Sequence, residues 1–192
     1  MTLTESSRKG SALAQFRQIY RWQLKRNRLI SILCLGLTFL CFSVVHLCES
    51  VRGYHDYFDN PSELGENVSH AYLLKQFTGT IQANLMTGMA TILIPLLLVF
   101  LVVSAIQTFQ YMHKRRSVDL FHALPIRRTP LLLGNMAAIG TVLGGVAVLN
   151  LLLCGAVDMA MGVEYSICWL LGQLGYLLLL LAASLCGTVF LL

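Results

Sequence analysis

Asp119 and His122 stand three residues apart on a stretch that can form a short helix, so both lie on one face. An acid beside an imidazole is the raw material of general acid–base catalysis. Here the pair sits among Lys114, Arg115, Arg116, Arg127 and Arg128, on a segment that implies no pocket. Metal chemistry is the next possibility, because His46, His55, Asp56, Asp59 and His70 fall near one another in the chain. Their spacing matches no established ligand pattern. The chain has 6 cysteines and no C-x-x-C. Cys34, Cys41 and Cys48 recur every seven residues along one face of an apolar run, and Cys154, Cys168 and Cys186 lie in or beside other runs. They read as small, soft packing residues. Neither H-E-x-x-H nor the phosphate-cradling G-x-x-x-x-G-K-[ST] occurs. The expectation is a chain that is not an enzyme and carries no catalytic, cofactor-binding or metal-ligating residues of its own.

The elements that would hold these residues are set by composition. The 192 residues are 56% hydrophobic and only 12% charged, with a mean hydropathy of +0.69. A soluble domain carries about twice that share of charge. Four apolar blocks are long enough to cross a bilayer, at about 29–48, 84–110, 131–157 and 167–192. Only a helix satisfies its own backbone in lipid without closing into a barrel, which predicts an all-α helix bundle. The first block follows about 28 polar and basic residues and is too long for a signal peptide. It is expected to stay as an anchor.

Charge placement predicts orientation. Arg8, Lys9, Arg17, Arg21, Lys25, Arg26 and Arg28 precede the first block, and five bases lie between the second and third. Residues 49–83 hold Arg52 and Lys75 against Glu49, Asp56, Asp59, Glu63 and Glu66. Asp158 and Glu164 occupy the short loop expected between the third and fourth blocks. The positive-inside rule then puts the N-terminus and residues 111–130 in the cytoplasm, with 49–83 as an outer loop. The net charge of +5 reports this topology and gives no reason to expect nucleic acid.

Residues 1–28 predict a basic amphipathic helix lying on the inner leaflet. Leu13, Phe16, Tyr20 and Leu24 form one stripe, and Arg17, Arg21, Lys25 and Arg28 another. Within 111–130, Ser117 to Leu124 allows about two helical turns. Val118, Phe121 and Leu124 share a face, and Pro125 ends the helix. A stiff amphipathic helix with bases on both sides suits docking to a soluble partner.

The run "YMHKRRSVDLFHALPIRRTPLL" resembles the first cytoplasmic loop of bacterial type-2 ABC exporter permeases. The matching residues are Lys114, Arg115, Arg116, Ser117, Val118, Asp119, Phe121, His122, Ala123, Leu124, Pro125, Ile126, Arg127 and Arg128. The resemblance implies a coupling helix that docks on a separate cytoplasmic ATPase, with ATP and Mg held by that partner. Ser117, Val118, Asp119, Phe121, His122, Leu124, Pro125, Arg127 and Arg128 are its docking residues. It also implies a bacterial plasma-membrane location and a second permease half or a homodimer. Permeases of this class usually have six or more spans, and this chain ends inside the apolar run "GTVFLL". The expectation is therefore the N-terminal portion of a longer permease. The transported substrate is not legible.

No Lys, Arg, Asp or Glu falls at mid-span in this reading, which argues against proton-coupled transport. Pro95 is placed to kink the second span. Gly140 and Gly144 form a small-xxx-small packing motif, repeated at Ala183 and Gly187. Asn150 and Gln173 are the main buried polar residues expected, with interhelical hydrogen bonding as their role. An alternative reading is a non-transport module, an immunity or sensor protein that binds peptides through residues 49–83. It differs in requiring no ATPase.

Overall fold

The computed structural model describes residues 4–58, 69–109 and 128–191, and among these there are helices and no strand. The protein is all-α. An N-terminal helix, α1 (Thr4–Arg26), is followed by four helices long and apolar enough to cross a membrane: Arg28–Phe58, His70–Phe109, Thr129–Ala160 and Ile167–Thr188. The chain is a multi-pass membrane protein. These helices are called the first to fourth spans below.

The first two spans are longer than the hydrophobic blocks alone suggested. They reach 31 and 40 residues, so residues 49–58 and 70–83, expected in a solvated loop with a short helix or two, instead continue the spans as helix. Their charged residues are exposed. Arg52, Asp56, Lys75 and Gln76 are exposed, while Ser50, Leu73, Phe77 and Ile81 are buried. Helical spacing sorts the two kinds, so polarity averaged over a window hides the helix. The third span runs three residues past its expected end and takes in Asp158.

Each of the first two spans contains a π-helical turn, at Phe39–Val44 and at Met89–Leu93. In the second span Pro95 supplies the reason. It has no N–H to give, and its ring presses on the carbonyl four residues back. That residue, Thr91, lies inside the π turn, where the wider winding makes room. The π turn of the first span has no such proline. Gly88, at the start of the second π turn, takes the ring of Phe42 from the first: a Cβ there would stand 3.2 Å from the ring edge. The six cysteines are free thiols. Cys34 is buried, Cys41 half-buried and Cys48 exposed, so the intervening π turn breaks the single face expected of them.

The chain forms two compact units. One comprises Met1–Leu33, Leu98–Gly144 and Leu180–Leu192, the other Cys34–Leu97 and Gly145–Leu179. In the first unit α1 packs its Ile19 against Gly134, where a Cβ would stand 3.0 Å from the Ile19 side chain. In the second, Phe77, Ile81 and Val163 form a core with Tyr57, Phe58, Met161 and Tyr165 around it.

Candidate functional site

The second unit buries a row of polar side chains between the first and third spans. Asn150, Cys154 and Asp158 follow one another at intervals of four on the third span, the spacing of one helix face. Opposite them on the first span stand Thr38, Ser43, His46 and Ser50. The step of five from Thr38 to Ser43 would turn an α-helix off that face. It crosses the π turn, whose i→i+5 winding keeps Ser43 in line. The π turn is thus what brings the first span's hydroxyls and its imidazole into one row.

Asn150 anchors the middle of the row. Its Nδ2 donates to Thr38 Oγ1 (3.1 Å) and to the Val146 carbonyl (2.9 Å), and its Oδ1 accepts from the Ser43 hydroxyl (2.8 Å). Thr38 passes its own proton to the Cys34 carbonyl (2.7 Å), and Cys154 Sγ lies 3.7 Å from Ser43 Oγ. Asn150 is 1% exposed.

Asp158 anchors the end of the row and is fully buried. Its Oδ2 lies 2.8 Å from His46 Nε2 and accepts the Tyr165 hydroxyl at 2.6 Å. Its Oδ1 accepts the Ser50 hydroxyl at 3.0 Å. An isolated buried carboxylate costs several kcal/mol of lost hydration, roughly, and three donors aimed at it offset that cost. Burial above all, and then the hydrogen bond and charge of Asp158, hold the Tyr165 phenol well above the usual tyrosine range. Tyr165 therefore remains a donor.

The local backbone explains how Tyr165 gets there. The third span ends in a Schellman motif: Val163 N–H donates to the Asp158 carbonyl (3.0 Å) and Gly162 N–H to the Met159 carbonyl (3.1 Å). Gly162 has φ +87°, a conformation that glycine adopts without a Cβ penalty. Val163, the residue after it, drops into the core beside Phe77 and Ile81. The chain is thereby folded back so that Tyr165 reaches Asp158 from beyond the helix end. Trp169, in the first turn of the fourth span, stacks on Tyr165 with ring centroids 5.2 Å apart.

Ser50, His46 and Asp158 are the residue types of a hydrolase triad, yet their geometry differs from one. A triad places the acid on one imidazole nitrogen and the serine on the other. Here Asp158 and Ser50 both face Nε2, and the serine proton goes to the carboxylate.

The first unit carries a different polar cluster. Gln23, on the buried side of α1, and Asn27, in the turn that follows it, both donate toward Thr108 Oγ1 near the end of the second span. Arg26 donates to the Gln107 carbonyl (3.1 Å) and lies over the Trp22 ring at 4.7 Å. A base on the last carbonyls of a helix satisfies both their lone pairs and the helix dipole. The Tyr20 hydroxyl donates to Thr141 on the third span (3.2 Å). Leu13, expected on an apolar stripe, is 73% exposed; Gln23, on neither expected stripe, is fully buried. Phe16, Tyr20 and Leu24 of that stripe are half-buried, so the burial of α1 combines apolar packing with a polar contact that the pattern did not show.

Of the residues singled out from sequence, Ser117, Val118, Asp119, Phe121, His122, Leu124, Pro125 and Arg127 lie outside the described residues. Arg128 begins the helix of the third span. Gly144 is buried and Gly140 exposed, and a Cβ on Gly140 would meet Leu185 at an ordinary 3.9 Å. Ala183 and Gly187 are exposed, and Gln173 is half-buried. The tight glycine contacts are at Gly88 and Gly134. Asp158, expected in a loop, is the buried acid that the sequence pattern missed. Two signals pointed to it: its i+4 and i+8 spacing from Cys154 and Asn150, and Gly162 as a helix terminator four residues on. No family model, curated protein or solved structure matches this chain.

Proposed function

We propose that this chain is a membrane-spanning permease subunit of an ATP-driven exporter, which couples a separate cytoplasmic ATPase to substrate translocation in a bacterial plasma membrane. Its N-terminus and residues 111–130 face the cytoplasm, and ATP and Mg belong to the partner. The observation that carries this reading is the place of α1. Through Arg26 and Gln23 it grips the end of the second span, and through Ile19 and Tyr20 it grips Gly134 and Thr141 of the third. Those two helices are the stems of the segment that carries the Ser-Val-Asp…Leu-Pro-Ile pattern. A push on that segment is thereby shared with α1 and with the first span that follows it.

The test is purification of the protein from its own membrane in mild detergent, with mass spectrometry of what accompanies it. A stoichiometric Walker-motif ATPase, lost on Leu124→Asp while the protein still inserts, is the expected result. Purification free of any ATPase, with and without Leu124→Asp, would instead favour the peptide-binding module.

A further inference from the structure

The row of polar residues in the second unit is more than a packing device at its Asp158 end. Asn150 and its partners carry no charge, so their hydrogen bonds do not change with the medium. His46 and Asp158 are different. They are a base and an acid 2.8 Å apart, 3% and 0% exposed, inside helices that read as spans. An ionisable residue in such a helix marks a functional site by default.

We infer that His46 and Asp158 form a proton-binding site, and that its occupancy is passed to the turn between the third and fourth spans through Tyr165. The carboxylate is an acceptor only, so the proton on Nε2 belongs to the imidazole and points at Oδ2. The proton that enters from the medium goes to the imidazole's other nitrogen. The product is an imidazolium–carboxylate pair, and the buried charge of Asp158 is cancelled. Loading therefore adds the attraction of an ion pair to a hydrogen bond between the first and third spans whose acceptor already carried charge.

The neighbours fit this role. Ser50 donates to Oδ1 and keeps Asp158 in place in both states, whereas Tyr165 shares Oδ2 with His46, so its hydrogen bond weakens when the imidazolium draws charge from that oxygen. On the third span Cys154 faces Ser43 one turn from Asp158. The second span brings Phe77 and Ile81 to Val163, both apolar. The fourth brings Trp169, which is uncharged. Among the described residues, no Lys, Arg or second acid is bonded to the pair. A cleft of about 210 Å³ is lined by Val51, Tyr54, Ala160 and Met161, which are close in sequence to Ser50 and Asp158.

Trp169 makes the idea testable, because it lies flat on Tyr165 and the only other tryptophan is Trp22. Full-length Trp22→Phe protein in lipid nanodiscs would be taken from about pH 8 to about pH 5, the range in which histidine changes charge. Trp169 emission and proton uptake from weakly buffered medium are read together. The expected result is a reversible emission change accompanied by uptake that is one proton greater than in His46→Gln. The emission change is lost in His46→Gln and in Asp158→Asn. Tyr165→Phe keeps the uptake and loses most of the emission change. Should Asp158→Asn fail to fold, His46→Gln and Tyr165→Phe still decide. An emission change that persists in His46→Gln, or uptake equal in the two proteins, overturns the proposal.

Discussion

The two units each bury a polar cluster, and the clusters are finished to different degrees. In the second unit, Asn150 makes bonds through both ends of its amide and Asp158 through both of its oxygens. In the first, Gln23 Oε1, Asn27 Oδ1 and Asn135 Oδ1 are buried with no partner among the described residues. A buried acceptor left unpaired costs about 1–3 kcal/mol. A closed network holds its helices in one arrangement, whereas an unfinished one gains from any rearrangement that brings a donor. The two units thus differ in how completely their buried amides are paired, and the first contains the stems of the segment we assign to docking.

Substitutions can break this contrast. The largest loss is expected from Asp158→Ala, which leaves the donors of His46, Ser50 and Tyr165 without an acceptor. It should cost about 3–5 kcal/mol in reversible unfolding from mixed micelles, since each buried donor left unpaired costs about 1–3 kcal/mol. Next come the two close-packed glycines. Gly88→Ala drives a Cβ to 3.2 Å from the Phe42 ring, and Gly134→Ala one to 3.0 Å from Ile19. Overpacking of this kind costs about 1–3 kcal/mol. If the first unit yields, Gly134→Ala gives the smaller loss despite the closer approach; thermal unfolding of the two variants compares them.

A paired test then addresses the amides directly. Asn150→Leu breaks a closed network and should destabilise by about 1–2 kcal/mol. Gln23→Leu removes an orphaned acceptor together with one hydrogen bond, and should fall near neutral. Equal losses from the two would erase the distinction between the units. The smallest effect concerns alkali. Tyr165 has its phenol value raised above the ordinary 10.0 by burial and by Asp158. Its contribution is complete below pH 10.0 and is lost as pH rises through the folded value. Stability should therefore fall above about pH 10, and Tyr165→Phe should flatten that slope.

The spans were legible because membrane crossing is written in composition. Their lengths were not, because Glu49–Phe58 and His70–Ala83 mix polar and apolar residues that only the helix geometry separates. The polar row was legible in part. Asn150 stood out as a polar residue in a greasy run, and interhelical hydrogen bonding is what it does in the structure. Its partners did not stand out, since Thr38 and Ser43 come into line only through a π turn that no proline announces. Asp158 was hidden for a simpler reason: an acid beside "MAMG" looks like the start of a loop. The expectation concerned acids at mid-span; Asp158 lies two residues from the end of the third span, a buried acid at a place that expectation did not cover. On α1 the expected stripe is half-buried at Phe16, Tyr20 and Leu24 and exposed at Leu13, while the most buried residue of the helix, Gln23, was not singled out because its burial depends on a bond to a neighbouring helix end.

The most direct test of the account places a photo-crosslinking residue at Leu124 and irradiates intact native membranes. The account predicts an adduct to a Walker-motif ATPase, and predicts that Arg26→Ala, which frees the end of the second span, weakens export without abolishing that adduct. Adducts only to lipid or to unrelated proteins, from a chain that is inserted and folded, would contradict it.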